Sequence, residues 1–231
     1  MNTVDELKKS AAEHAVNFIE SGMVIGLGTG STTYYAIKKI SELIKQGVLK
    51  NILAVPSSKH TEELAVQLEI PLTDFSKYKQ VDLTIDGADE VDDKLNLIKG
   101  GGGAMLREKV LAQASRNFFV VVDDSKVSTR LGEKWKVPVE VIPFAIETET
   151  FFLKNCSKGA EVRKNNLGQF FVTDEGNYIV DVDFGIIENP RRTASLLSER
   201  AGIVGHGLFI DCTAKVFIAS KSGVITLKKI N

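Results

Sequence analysis

Met23 to Thr33, MVIGLGTGSTT, is an apolar run that stops at Gly28-Thr29-Gly30 and continues into Ser31, Thr32 and Thr33. Met23 to Leu27 reads as a buried strand, the glycines as a turn, and the hydroxyl residues as the start of a helix running to about Lys45. The order strand, glycine turn, helix is the repeating unit of a parallel sheet. It recurs downstream. Ile52 to Val55 is a strand, Ser57-Ser58 a turn, and His60 to Leu68 a helix that ends before Pro71. Val81 to Ile85 is a third strand, Ala104 to Ser115 a helix, and Phe118 to Val122 another apolar strand. Upstream, Val4 to Ile19 has Val4, Leu7, Ala11, Ala15 and Phe18 spaced for one buried helix face, stopped at Ser21-Gly22. Alternation of this kind predicts an α/β fold, a mostly parallel, Rossmann-like sheet with helices on both faces.

Beyond Gly132 the pattern changes. Val137 to Ile142 reads as a strand, Glu147 to Asn155 as a helix, and Glu161 to Arg163 and Gln169 to Thr173 as short strands. Asp174 to Asn177 is a hairpin turn, Tyr178 to Asp183 pairs back, and Pro190 to Arg200 is a helix with proline at its start. These elements predict a smaller α+β, ferredoxin-like domain over residues 131–206, with residues 1–130 and 207–231 forming the main domain. Leu208 to Ile210, Val216 to Ala219 and Val224 to Leu227 are expected to return to the first sheet.

A chain of 231 residues with 43% apolar side chains suffices for one core and a smaller partner. Lys and Arg number 29 against 30 Asp and Glu, which argues against a general nucleic-acid or membrane-surface binder, so any affinity for phosphate must be local. Cys156 and Cys212 form no CxxC pair, which favours a reducing, cytoplasmic setting. The amphipathic N-terminal pattern has no continuous apolar core and directs no export, and no run approaches the roughly 18 apolar residues of a membrane span.

Chemistry concentrates in Asp86 to Lys109, DGADEVDDKLNLIKGGGGAMLREK. Four adjacent glycines cost backbone entropy and fill no core, so something must approach that main chain closely. Asp86 and Asp89 leave the end of a buried strand, the edge where parallel sheets bind ligands; turn carboxylates and a solvated acidic loop are the plainer alternatives. A helical wheel of Ala104 to Ala114 sets Glu108 between Ala104 and Ala112, with Lys109 and Gln113 on the wetter side. A carboxylate on an apolar face is either a base strengthened by burial or half of an ion pair. The Gly28 to Thr32 turn suits a phosphate or carboxylate, and equally a plain helix cap; Thr33 stands where a GxGxxG motif needs its third glycine. Ser57-Ser58 and Lys126 fall on the same predicted edge. His14, His60 and His206 are isolated and read as surface or packing residues, leaving no histidine–carboxylate metal site.

Taken together, GLGTGST at Gly26 to Thr32, DGADE at Asp86 to Glu90, KGGGGAMLREK at Lys99 to Lys109 and KVPVEVIP at Lys136 to Pro143 closely resemble ribose-5-phosphate isomerase of the A type, nearly end to end. The resemblance implies interconversion of ribose 5-phosphate and ribulose 5-phosphate, in the non-oxidative branch of the pentose phosphate pathway, through a cis-enediolate and without metal or organic cofactor. It also implies a homodimer or homotetramer, with the small domain at the interface. Glu108 matches the base that moves a proton between C2 and C1. Asp86 and Asp89 match the pair bound to the sugar hydroxyls and implicated in ring opening, and Lys99 the lysine that stabilises the enediolate. Thr29, Gly30, Ser31, Thr32, Gly87, Ala88, Gly100, Gly101, Gly102 and Lys126 match the substrate-contacting set, and Lys8 a lysine that reaches the phosphate. Glu90, Asp92 and Asp93 are then loop or structural charges. Ala104-Met105-Leu106 stands where relatives often carry a polar residue, and only a packing difference is expected from it. Three other readings stay open: an amino-sugar-phosphate deaminase-isomerase of similar fold, a sugar-phosphate-binding regulatory module that has lost turnover, and a nicotinamide-dependent oxidoreductase.

Overall fold

The computed structural model describes residues 3–228, which divide by their contacts into two units. Of the described residues, the first holds 3–88, 107–126 and 212–228; the second holds 89–106 and 127–211.

In the first unit six strands form one sheet: β1 (Val24–Leu27), β2 (Leu53–Pro56), β3 (Val81–Asp86), β6 (Ser115–Asp123), β12 (Lys215–Ser220) and β13 (Gly223–Lys228). Their order is β13-β12-β6-β3-β1-β2, and every pair is parallel except β12 with β13. Its helices are α1 (Val4–Val16), α2 (Ser31–Lys45), α3 (Lys59–Gln67) and α4 (Met105–Ala114). They cover both faces because alternate strand residues point opposite ways. Ile25, Leu27, Leu83, Ile85, Phe119, Val121 and Phe217 pack with Leu7, Ala11, Ile37, Ile40 and Ala65 of α1, α2 and α3. Val24 and Val55 face the other way and, with Val81 at the start of β3, cluster with Leu111 of α4. This is the expected mostly parallel α/β sheet. Helix α1 is shorter than predicted: Val4 and Phe18 are exposed, and Leu7, Ala11, Ala12, Ala15 and Val16 form the buried face. A capping box opens it, Thr3 Oγ1 accepting from Glu6 N at 3.2 Å while Thr3 N donates to the Glu6 carboxylate at 2.7 Å.

The second unit contains β7 (Val137–Val141), α5 (Ile146–Asn155), β8 (Gly159–Val162), β9 (Tyr178–Asp183), α6 (Pro190–Ser198) and β10 (Ile203–His206). A βαββαβ sequence in an antiparallel sheet of order β10-β7-β9-β8 is the ferredoxin-like arrangement. Val137, Val139, Val141, Leu153, Val180, Val182 and Leu197 form its core. Three very short strands make a separate sheet of order β11-β5-β4: β4 (Glu90–Val91), β5 (Leu97–Ile98) and β11 (Leu208–Phe209).

That small sheet revises two expectations, and a third changes beside β8 and β9. Residues 89–106 and 207–211 cluster with the second unit, because β11 pairs with β5 and Lys99 N donates to Gly207 O at 2.9 Å. For the same reason the segment beginning at Leu208 does not return to the first sheet, whereas β12 and β13 do. Gln169 to Thr173 is not a strand: only the isolated bridges Lys164 to Phe170 and Val172 to Tyr178 form there. Its partner strand β8 begins earlier than predicted, at Gly159.

Candidate active site

The chain leaves β1 for β2 on one side and continues from β3 through β6 to β12 on the other, so the strand order reverses between β1 and β3. In a parallel sheet the helices leaving two such strands diverge and open a crevice at the carboxyl ends. Gly28 to Ser31 follow β1 and Asp86 ends β3, so both motifs flank that crevice. Ser57 follows β2, and Lys126 closes the short turn after β6 on the same edge.

Asp86 is fully buried, its Oδ1 accepting from Thr29 N at 3.1 Å and Gly87 N at 2.7 Å. The carboxylate therefore braces the glycine turn. Gly28 is required there: a Cβ would lie 2.1 Å from Asp86 Oδ1 and 2.6 Å from its Cα. Gly28→Ala is expected to destabilise the fold by about 1–3 kcal/mol through overpacking, and to lower kcat/KM by displacing Asp86. Urea melts and steady-state kinetics of the variant check both.

Thr29 Oγ1 lies 2.8 Å from the hydroxyls of Ser57 and Ser58 and 3.0 Å from that of Thr61. Thr61 Oγ1 also donates to Gly28 O at 3.1 Å, locking the first turn of α3 to the first glycine turn. Ser58 is the N-cap of α3, accepting from Thr61 N at 3.0 Å. Thr61 carries no signal of its own in the sequence except its place three residues after that cap. At α2 the plain cap reading fails: the N-cap is Gly30, at φ +126°, and no side chain caps the helix. Ser31 and Thr32 lie inside the first turn, so its N-terminal N–H groups and positive dipole end suit an anion.

Glu108 stands in the first turn of α4 and is only 4% exposed, as the helical wheel predicts. Lys109 departs from it. It is half-buried, and desolvation pulls its ammonium down to about 8, the nearby Cys212 sulfur opposing the shift. Between that value and the unfolded lysine's roughly 10.4 the unfolded chain holds more protons, so stability rises with pH across the window and the full penalty is felt below it. Lys109→Met is thus expected to stabilise the protein at pH 7 by about 1–3 kcal/mol, with the gain shrinking near pH 10. Denaturant melts at both pH values read this; a gain that is absent at pH 7, or equal at both, contradicts it.

In the second unit, Asp89 N donates to Ile98 O at 2.9 Å and its Oδ2 accepts from Gly101 N at 2.7 Å. A Cβ on Gly101 would lie 2.7 Å from Asp89 Oδ1, so the carboxylate sits directly on that glycine. Lys99 is buried, with its ammonium 5.7 Å from the centre of the Phe209 ring. Gly100 has φ +106°, and Gly101 and Gly102 are exposed. The neighbouring acids are structural, as expected. Glu90 accepts from the N–H groups of Gly132, Glu133, Lys134 and Trp135 at 3.0–3.2 Å. Asp92 closes the hairpin between β4 and β5, accepting from Lys94 N and both nitrogens of Asn96; burial pushes its pKa up. Lys8 is half-buried on α1, which packs against α2. His206 is a packing residue, bonded to Ser198 and to Leu208 N. Among the described residues no group of three His, Cys, Asp or Glu side chains is placed to hold a metal ion.

The switch-point crevice, with its uncapped helix start, hydroxyl cluster and the buried Asp86, has the features of an α/β protein suited to a small anion at the carboxyl edge of a parallel sheet. Comparison with known proteins narrows this. Residues 53–223 match the family model of ribose 5-phosphate isomerase A (phosphoriboisomerase A). The chain is 52% identical to ribose-5-phosphate isomerase A of Desulfatibacillum aliphaticivorans over 99% of both chains. It is 48% identical to that of Chloroflexus aurantiacus, over 97% of this chain and 95% of the relative. Among solved structures, a D-ribose-5-phosphate isomerase in complex with phospho-erythronic acid superposes with a TM-score of 0.95 at 40% identity, covering 99% of this chain and 100% of the other. The Methanocaldococcus jannaschii ribose 5-phosphate isomerase A structure gives 0.92 at 38%, covering 98% and 100%. The chain belongs to the ribose-5-phosphate isomerase A family, and is an aldose–ketose isomerase.

Proposed function

We propose that the protein interconverts D-ribose 5-phosphate and D-ribulose 5-phosphate by proton transfer through a cis-enediolate. The observation that carries this beyond family membership is Glu108, a buried carboxylate at the start of a helix that follows a lysine and a glycine run. Taking a proton from carbon beside a carbonyl leaves negative charge on oxygen, so the reaction needs a base at the C–H and a cation or donors at the oxygens. Glu108 is the base and Lys99 the cation. Asp86 and Asp89 hold and exchange protons with the sugar hydroxyls during ring opening. Thr29 to Thr32 and the uncapped start of α2 bind anionic and hydroxyl groups of the substrate, with Gly87, Ala88, Gly100, Gly101, Gly102, Lys126 and Lys8 completing its contacts.

The test is formation of the ketose from ribose 5-phosphate by the purified chain, with and without exhaustive chelation. Equal activity in both is expected. Loss restored by a divalent ion would contradict the metal-free mechanism, and ammonia release from glucosamine 6-phosphate would favour the deaminase-isomerase alternative.

We also propose a homodimer or homotetramer that uses the second unit as its interface. Phe144, 97% exposed, and Phe151 and Leu167, also exposed, support this as apolar side chains left to water on that unit. Sedimentation as a monomer at micromolar concentration would refute it. No helix among the described residues is long and apolar enough to cross a membrane. The two free cysteines support a cytoplasmic location, which fractionation checks.

A further inference from the structure

Arg163 follows β8 in the second unit, and its guanidinium is shared between two jobs. Nε and Nη2 bind the Asp181 carboxylate side-on, at 2.8 and 2.5 Å. Nη1 donates to Gly100 O at 2.8 Å and to Gly101 O at 3.1 Å. A planar fork can meet a carboxylate along one edge and present another N–H elsewhere; a lysine ammonium has no such geometry. The partner is itself fixed: Asp181 lies on β9 opposite Glu161 of β8, and Arg163 N donates to Ile179 O at 2.7 Å.

What the fork grips is the glycine run, which closes one turn on itself, Gly103 N donating to Gly100 O at 3.0 Å. Gly100 and Gly103 have positive φ, and Gly101 and Gly102 are exposed. Four glycines in succession have no Cβ to restrict them, so this run holds one shape only if its surroundings impose it. Three contacts do so. Asp89 takes Gly101 N, Phe171 closes on Gly103, where a Cβ would lie 2.5 Å from its ring, and Arg163 takes the carbonyls of Gly100 and Gly101. Arg163 also lies 5.9 Å from the centre of the Phe171 ring. With the two carbonyls turned to Arg163, the adjoining peptide planes are fixed, and with them the Gly101 N–H on Asp89; Lys99, just before the run, is held in addition by Gly207 O.

We infer that Arg163, held by Asp181, is a positioning residue for the reaction: it sets the glycine-run backbone on which Lys99 and Asp89 depend. This rests on the roles proposed above for those two residues. The sequence gives Arg163 no mark, since it stands outside every motif and 62 residues from the glycine it holds.

A second feature of the unit makes the inference testable. Arg163 lines an open depression of about 960 Å³ with Trp135, Lys154, Lys164 and Phe170. The depression has little claim to be an anion site, because Lys136 pairs with Glu161, Lys134 with Val127 O and Arg163 with Asp181. It does give a small cation a path to the space an arginine would vacate.

The experiment compares wild type, Arg163→Ala, Arg163→Lys and Asp181→Asn in the isomerase assay, with added guanidinium chloride and with sodium chloride at equal ionic strength. Arg163→Ala and Arg163→Lys are expected to lose about 10- to 100-fold in kcat, the scale of a displaced positioning group. Asp181→Asn should lose less. Tens of millimolar guanidinium should restore Arg163→Ala saturably and leave the wild type and Glu108→Gln unchanged. Arg163→Lys keeps charge and stem, so it reads the fork's geometry even if the alanine variant fails to fold. Activity within about twofold of wild type in Arg163→Lys would overturn the inference, as would a loss in folded Arg163→Ala that guanidinium does not restore. An intact Glu108→Gln enzyme would instead refute the underlying mechanism, so the two failures are distinguishable.

Discussion

Glu108→Gln is expected to lower kcat by about 10²–10⁴-fold while leaving KM within a few-fold of wild type. The amide keeps the size of the side chain and its place in the first turn of α4, packed where the wild-type carboxylate is 4% exposed. What it loses is the ability to accept a proton from carbon. In the proposed mechanism substrate binding rests on other groups, chiefly the hydroxyls and the start of α2, so affinity should survive. Stopped turnover with retained binding, read by kinetics and by titration with a substrate analogue, is the expected pair of results. Near wild-type kcat would remove Glu108 from the mechanism.

Lys99→Met carries the second large effect. The enediolate places a full negative charge on oxygen, and a preorganised donor aimed at such a charge is worth about 10²–10³-fold in kcat. Lys99 is preorganised in this sense: its backbone is fixed to Gly207, its side chain is buried, and its ammonium lies over Phe209. Methionine fills a similar volume without the charge, so the fold should persist and the loss should fall on kcat more than on KM. A loss confined to KM would recast Lys99 as a phosphate or hydroxyl ligand present equally in ground and transition states.

How much of this was legible from the chain depended on whether a feature repeats. Strands β1 and β6 were readable because each holds an apolar run, and β3 because Val81, Leu83 and Ile85 alternate along it; Gly28 to Thr32 was readable as a turn into a helix, its anion-site and plain-cap readings left open by the sequence. Glu108 was readable because helical periodicity sets one charge among apolar neighbours. Strands β4 and β5 were not, and β11, expected at Leu208 to Ile210, was given the wrong sheet: two residues carry no period, and what joins them is pairing across more than a hundred positions, Leu208 with Ile98. That pairing took residues 89–106 into the second unit, which no local pattern foretold. Gln169 to Thr173 showed the reverse error, β-prone residues that find only single bridges because β9 continues past them to pair with β8. Lys109 was placed on the wet side with Gln113, but packing around α4 half-buries Lys109 and leaves Gln113 exposed, which a wheel drawn from one helix cannot show. The hydroxyl cluster was half visible: Ser57 and Ser58 stood at the right edge, but that Thr29 and Thr61 close it is a fact of packing between β1 and α3.

The central claim is that Glu108 moves a proton, not a hydride, between the two carbons. Its most direct test is isomerisation of ribose 5-phosphate in deuterated water, with the product followed by NMR. Solvent deuterium is expected at carbon 1 of ribulose 5-phosphate with the wild type, and no such exchange with Glu108→Gln. Ketose formed at full rate with the original hydrogen retained and no solvent deuterium at carbon 1 would contradict it.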